Sequence, residues 1–304
     1  RPRPPGALSG APPGAGPGRI RRLSSQLANQ IAAGEVVERP ASVVKELVEN
    51  ALDAGAGRVQ GDVEGSGVGR IRVRDDGRGI HPEDLVLAVT SHATSKITSA
   101  DDLHRVRSLG FRGEALPSMA AVSRFSICSR VPGEAACCLR VEGGAPGRPE
   151  PGAVSAGTSV EVRDLFYNTP GRRKFLRSER TEQGHIQDIV RRMALAAPEV
   201  GFRLRLNGRE VASLRPRPGD PGARAAEVLG RAFMEQAFPL EAAGPELALR
   251  GWLGSPERAR SQSDQQYLFL NGRMVRDRTL AHALRQAYGR SEERRVGKEC
   301  TLRC

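Results

Sequence analysis

The sequence predicts an α+β sandwich, and three features of its patterning lead there. Apolar residues recur at helical spacing between Pro40 and Ala54, alternate with polar ones at period two in several other segments, and the helices are mixed with hairpins instead of following strict strand–helix alternation. The elements are expected in the following order. Residues 1–19 are Pro/Gly-rich with little to bury and read as a disordered extension. Leu23 to Val37 reads as a short helix starting near Ser24 or Ser25, with Gly34 inside it. Pro40 and Ser42 open a second helix, whose apolar side is Val43, Val44, Leu47, Val48, Ala51 and Leu52 and whose stop is Gly55. Val59 to Glu64 and Arg70 to Asp75 form a hairpin around Gly65-Ser66-Gly67, with Ile71 and Val73 facing inward. Asp75 to Gly79 turns the chain, and Pro82 opens a helix running through Leu87.

Arg124 to Arg130, Cys137 to Val141 and Thr158 to Val162 supply further strands, followed by a helix from about Glu182 to Ala197. Pro198 marks an expected boundary. Beyond it, Phe202 to Leu206 and Gln266 to Leu270 read as strands, Asn207-Gly208 and Asn271-Gly272 as hairpin turns, and Thr279 to Tyr288 as a helix. The division expected is therefore 1–19 extension, 20–199 first domain, 200–289 an incomplete second domain, and 290–304 an atypical tail.

Across 304 residues, 47 Lys+Arg against 35 Asp+Glu leave a formal charge of +12. The excess is nearly all arginine, since Lys45, Lys96, Lys174 and Lys298 are the lysines present. Arginine suits phosphate forks, so this balance fits either a polyanionic partner or a solvated basic surface. The sequence holds no 18-residue apolar run and no apolar stretch near Arg1 typical of a secretory signal, so a cytoplasmic location is expected. Cys137 and Cys138 are neighbours among five cysteines, a poor disulfide framework, and reduced thiols are expected.

On the second helix Glu46, Glu49, Asn50 and Asp53 share one side, opposite the apolar stripe. Such a side is either solvated surface or an oxygen-rich site for a divalent cation completed by phosphates. Leu109 to Leu116, with Gly110 and Gly113 around Phe111 and Arg112, is either an ordinary loop or a phosphate-approaching one. Two other nucleotide motifs are excluded. Gly297-Lys298 is followed by Glu299 where a P-loop needs Ser or Thr, and Gly65 to Gly69 has neither the spacing nor the setting of a dinucleotide fingerprint.

Six segments together carry a resemblance: Gln26 to Ala56, Arg74 to Ile80 (RDDGRGI), Ser91 to Ile97 (SHATSKI), Ser108 to Leu116 (SLGFRGEAL), Gly157 to Leu176 and Leu270 to Arg278. In this order they resemble the N-terminal ATPase region of the MutL family of DNA mismatch-repair proteins, within the GHKL ATPases. The resemblance implies a GHKL-type α/β sandwich followed by a ribosomal-S5-like second domain, with ATP and Mg²⁺ as cofactors. It makes Glu46 the general base and Asn50 the magnesium ligand, with Asp53 beside them. Asp75 would accept from the adenine amino group, with Gly77 and Gly79 giving the base room and Thr158 supporting the contact. Thr94, Ser95 and Lys96 would lie on the phosphate side, and Gly110, Phe111, Arg112 and Gly113 would form a lid.

The resemblance further implies an ATP-dependent homodimer that acts as a clamp between a mismatch-recognition protein and a downstream repair nuclease or helicase. Arg172, Arg173 and Lys174, with Arg273, Arg276 and Arg278, would contact DNA phosphates without reading sequence. A reading from a different class is a non-hydrolysing nucleotide- or DNA-binding scaffold. Asp76 stands where the family more often has Asn, and Arg290 to Cys304 matches nothing expected of it.

Overall fold

The computed structural model describes residues 25–96, 113–245, 247–255, 266–275 and 277–286. Its frame is a mixed sheet covered on one face by helices. The strands are β1 (Arg58–Glu64), β2 (Arg70–Asp75), β3 (Arg124–Arg130), β4 (Cys137–Glu142), β5 (Ala145–Pro146), β6 (Glu150–Pro151), β7 (Gly157–Arg163), β8 (Gly201–Leu206) and β9 (Arg209–Leu214). Their order is β5-β4-β3-β7-β2-β1-β8-β9, with β6 also on β4. Every pairing is antiparallel except β1 with β8.

Period-two alternation sorts the two faces. Val59, Val63, Ile71, Val73, Phe125, Ile127, Val160, Val162, Phe202 and Leu204 point into one core, while Arg, Glu and Asp side chains occupy the other face. On that outer face Arg70 pairs with Glu64, and Arg163 with Glu161.

The covering helices are α1 (Ser25–Val36), α2 (Pro40–Asp53), α4 (Ala115–Ala121) and α6 (Glu179–Ala196), with the short α3 (Leu85–Ala88) entered through a 3₁₀ turn at Pro82–Asp84. Helix α2 starts with Pro at its first turn, buries Val43, Val44, Leu47, Val48 and Ala51, and gives way to Gly55 at φ +73°. Ser178 caps α6 by accepting from the Thr181 N–H. The short α5 (Pro170–Lys174) precedes α6; α7 (Pro221–Leu229) and α8 (Arg231–Met234) follow the sheet.

The expected boundary at Pro198 does not separate two units. β8 lies parallel to β1 in the register Val59↔Phe202 and Val63↔Leu206, and β9 turns back onto it through Asn207 (φ +49°) and Gly208 (φ +78°). The N-terminal sheet thus continues through Leu214. Arg224 of α7 then ties this edge together: its fully buried guanidinium donates to the carbonyls of Ala194, Pro198, Val200 and Arg215 at 2.6–3.1 Å. Burial lowers its pKa, opposed by Glu227.

The remainder is two small hairpins, β10 (Phe238–Ala243) with β11 (Ala248–Leu253) and β12 (Phe269–Leu270) with β13 (Arg273–Met274), then a helix over 278–286. The strand expected over Gln266 to Leu270 is shortened to two residues.

The cysteine expectation is also corrected. Cys128 and Cys138 sit opposite each other across β3 and β4 and form a disulfide; Cys137, one residue along and so on the other face, is a free thiol. The tail 290–304 and the extension 1–19 lie outside the described residues.

Candidate active site

Between α2, the end of β2 and the segment 77–96 opens a cleft of about 1060 Å³, floored by Val73, Ile127 and Val160. These are inward-facing residues of β2, β3 and β7, so the same alternation that builds the core gives the cleft an apolar floor. Of the residues expected to act together, Glu46, Asn50, Asp75, Gly79, Thr94, Ser95, Lys96, Gly113 and Thr158 line it. Asp53 and Gly77 stand just behind the wall, Asp53 reaching it through Lys96 and Gly77 through Asp75. Gly110, Phe111 and Arg112 lie outside the described residues.

One end of the cleft is held by backbone. Asp75 Oδ1 accepts from the Gly77 N–H at 2.9 Å and from the Thr158 N–H at 3.3 Å. Burial pushes the Asp75 carboxyl above the usual aspartate range; those two N–H bonds oppose the shift and the Asp76 charge adds to it. A side chain at Gly77 would meet Ala54, and one at Gly79 (φ +75°) would run into the Arg130 carbonyl, so both positions require glycine. Asp76 turns away from this end and accepts from the Arg58 N–H at 2.7 Å, bracing the turn.

Sequence reasoning missed Ser129. Its buried hydroxyl accepts from the Ile80 N–H (2.8 Å), lies 2.9 Å from Thr158 Oγ1 and donates to the Gly157 carbonyl (3.1 Å), so it fastens the floor strands to the turn after Asp75. The signal was available: a polar residue at an inward position beside Phe125 and Ile127 needs a partner.

The other end is held by side chains. Lys96 Nζ donates to Asn50 Oδ1 at 2.9 Å and to Asp53 Oδ2 at 2.5 Å. Lys45 Nζ donates to Glu46 Oε1 at 3.0 Å and to Glu49 Oε2 at 2.7 Å. Burial raises the Glu49 pKa against the pull of Lys45; at Lys45 burial works downward, but Glu49 and Glu46 outweigh it and the net shift is upward. Glu114, at the entrance to α4, accepts from the His92 N–H at 2.9 Å and tethers the loop that carries Thr94 to Lys96.

The basic clusters are less uniform than their composition suggests. Arg172 is half-buried; Nη2 donates to the Ile31 carbonyl at 3.3 Å and the guanidinium packs over Gly34 of α1. Arg173, Lys174 and Arg278 are exposed, Arg273 is half-buried, and Arg276 lies outside the described residues. The hairpin carrying Arg273 docks on α6, where Arg192 stacks on Tyr267 at 4.9 Å and reaches Met274 Sδ at 3.4 Å.

No helix among the described residues is long and apolar enough to cross a membrane. Residues 38–143 match the family described as histidine kinase-, DNA gyrase B- and HSP90-like ATPase, and residues 225–299 match the DNA mismatch repair protein, C-terminal domain. The second match runs past Arg290, into the stretch expected to be atypical. The DNA mismatch repair protein MutL of Xanthomonas campestris pv. campestris (strain B100) is 58% identical over 273 residues, 89% of this chain and 43% of that protein. The MutL of Azotobacter vinelandii is 57% identical over 279 residues, 90% of this chain and 43% of the relative. The chain therefore spans under half the length of these curated relatives.

Among solved structures, the Aquifex aeolicus MutL ATPase domain complexed with ADP aligns at TM-score 0.64 and 35% identity, covering 83% of this chain and 88% of that one. Another structure of the ATPase domain from the same organism's mismatch repair endonuclease MutL aligns at TM-score 0.61 and 32% identity, covering 84% and 86%. A sheet whose inward strands floor a cleft beside an acid- and amide-bearing helix is thus a GHKL-type ATPase fold, and the chain belongs to the MutL family of DNA mismatch-repair proteins.

Proposed function

We propose that this chain binds ATP with Mg²⁺ in the cleft beside α2 and hydrolyses it slowly. The observation that carries this reading is the convergence of Asp75 from β2 with Glu46 and Asn50 from α2 on one cleft with an apolar floor. Asp75 Oδ2 is the acceptor for the adenine amino group, with Oδ1 already committed to backbone N–H groups. Val73, Ile127 and Val160 pack against the base, and Gly79 keeps the turn clear of it.

The phosphate end fits a hard cation. Asn50 Oδ1 and Asp53 Oδ2 already hold one positive charge, the Lys96 ammonium, and a single neutral amide oxygen suits magnesium, which takes its other oxygens from phosphates and water. Magnesium, when bound, supplies neutralisation of the triphosphate charge. Glu46 takes the proton of the attacking water onto its carboxylate. Lys96, Thr94 and Ser95 bind phosphate oxygens, Lys96 as a compact point charge. Gly113 lines the cleft beside Thr94 to Lys96.

The useful output is motion. Nucleotide binding drives dimerisation of two N-terminal regions into a DNA-associated clamp that links mismatch recognition to a downstream nuclease or helicase. Arg173, Lys174, Arg273, Arg276 and Arg278 contact DNA phosphates, whereas Arg172 serves mainly to pin α1. The segment after α7 is the beginning of an S5-like second domain.

The test is ATP binding and hydrolysis by the wild type and Glu46→Ala. Binding is expected to persist while turnover falls by about 10²–10⁴-fold. Equal turnover in the two proteins removes Glu46 from the role.

A further inference from the structure

The lysine preceding Glu46 is placed in a way helix stability does not explain. Lys45 Nζ bridges two carboxylates of its own helix, Glu46 Oε1 at 3.0 Å and Glu49 Oε2 at 2.7 Å. Adjacent residues on a helix do not normally face each other, and a Lys four residues before a Glu is the less favourable order for an i,i+4 pair. Yet the long lysine stem folds across the cleft wall to reach both acids. Glu49 is buried, so it is a fixed anchor, whereas Glu46 is 23% exposed at the cleft. Among the described residues, Lys45 is the one ion-pair partner of Glu46, and the pair uses Oε1.

We propose that Lys45 is a positioning residue for Glu46: its ammonium, moored on the buried Glu49 carboxylate, grips Oε1 of Glu46 and leaves Oε2 turned to the reacting water. This rests on the reading of Glu46 as the base. Charge and geometry both serve that end. A carboxylate at i with two free torsions beyond Cβ sweeps a wide arc, and a small misplacement of a base costs a large factor in rate. The bridge fixes the arc at one oxygen without occupying the other.

The test uses the full chain as wild type, Lys45→Met, Lys45→Arg, Glu49→Gln and Glu46→Ala. ADP affinity and kcat for ATP are taken on each, and the ¹³C resonance of the Glu46 side-chain carboxyl at neutral pH on the four that retain Glu46. Lys45→Met is expected to lower kcat by about ten- to hundredfold, to leave ADP affinity within about twofold, and to move the Glu46 carboxyl resonance to that of an untethered glutamate. Lys45→Arg restores the wild-type resonance and most of kcat, and Glu49→Gln falls between wild type and Lys45→Met in both.

A Lys45→Met protein with wild-type resonance and wild-type kcat overturns the proposal. The carboxyl resonance decides the matter even where turnover is slow. If Glu46→Ala retains wild-type turnover, the reading of Glu46 as base fails on its own. If Glu46→Ala loses turnover and Lys45→Met does not, the positioning role alone is overturned.

Discussion

The two ends of the cleft are built by different means. At the Asp75 end the functional oxygen is fixed by the chain itself: two backbone N–H groups hold Oδ1, Ser129 ties Ile80, Gly157 and Thr158 into one unit, and glycines clear the approach. At the α2 end the functional groups are held by side-chain ammonium groups, Lys96 on Asn50 and Asp53, Lys45 on Glu46 and Glu49. Backbone hydrogen bonds preorganise a recognition site that need not change; a side-chain ion pair can exchange one partner for another, as Lys96 would on meeting a phosphate, while Lys45 stays moored on Glu49. On the proposed function, the difference separates a reader of the base from a machine acting on the phosphates.

Asp75→Asn attacks the rigid end and is expected to give the largest loss of binding: both adenosine and ADP weaken by about 10–150-fold, the worth of a hydrogen bond to a charged group, as read by calorimetric titration. Lys96→Met attacks the exchangeable end. It leaves adenosine affinity unchanged and weakens ADP by about tenfold, and an equal loss for the two ligands breaks the distinction between the ends. Thr158→Val removes only the hydroxyl contact with Ser129 and costs about 0.5–1.5 kcal/mol of stability, measurable by denaturant unfolding.

The pH dependence is the mildest effect, and its direction follows from burial. Because burial raises the Asp75 pKa, protonation removes the acceptor at higher pH than for an exposed aspartate, so ADP affinity declines on acidification starting above the usual aspartate range. For folding the sign is reversed. A raised carboxyl pKa means the folded state holds the proton more tightly, so this group's contribution to stability is present below the unfolded value and is lost as pH rises through the folded one. Asp75→Asn removes both trends.

Much of this was legible because it is local. Pro40 at the start of α2, its apolar stripe and Gly55 define the helix and so place Glu46 and Asn50 on a common side. The β1–β2 hairpin fixes which side Ile71 and Val73 face, and with them where Asp75 leaves the strand. What escaped was non-local. Period-two patterning identifies β8 as a strand but not its parallel partner β1, so the expected boundary fell inside the sheet. The Cys128–Cys138 bond depends on the β3–β4 register, which a count of cysteines does not contain. Arg172 and Arg173 look alike in sequence, and only the fold brings one of them within reach of the Ile31 carbonyl on α1. Lys45 was passed over because a neighbour-to-neighbour helix pair is ordinarily without consequence.

The central claim is tested most directly by titrating the isotopically labelled chain with Mg²⁺–ADP and following its amide and side-chain resonances. The backbone amides of Gly77, Gly79 and Thr158 and the Asn50 side-chain amide are expected to shift together along one saturating curve. Shifts confined to the outer sheet face or the C-terminal hairpins, with those four groups unmoved, would contradict it.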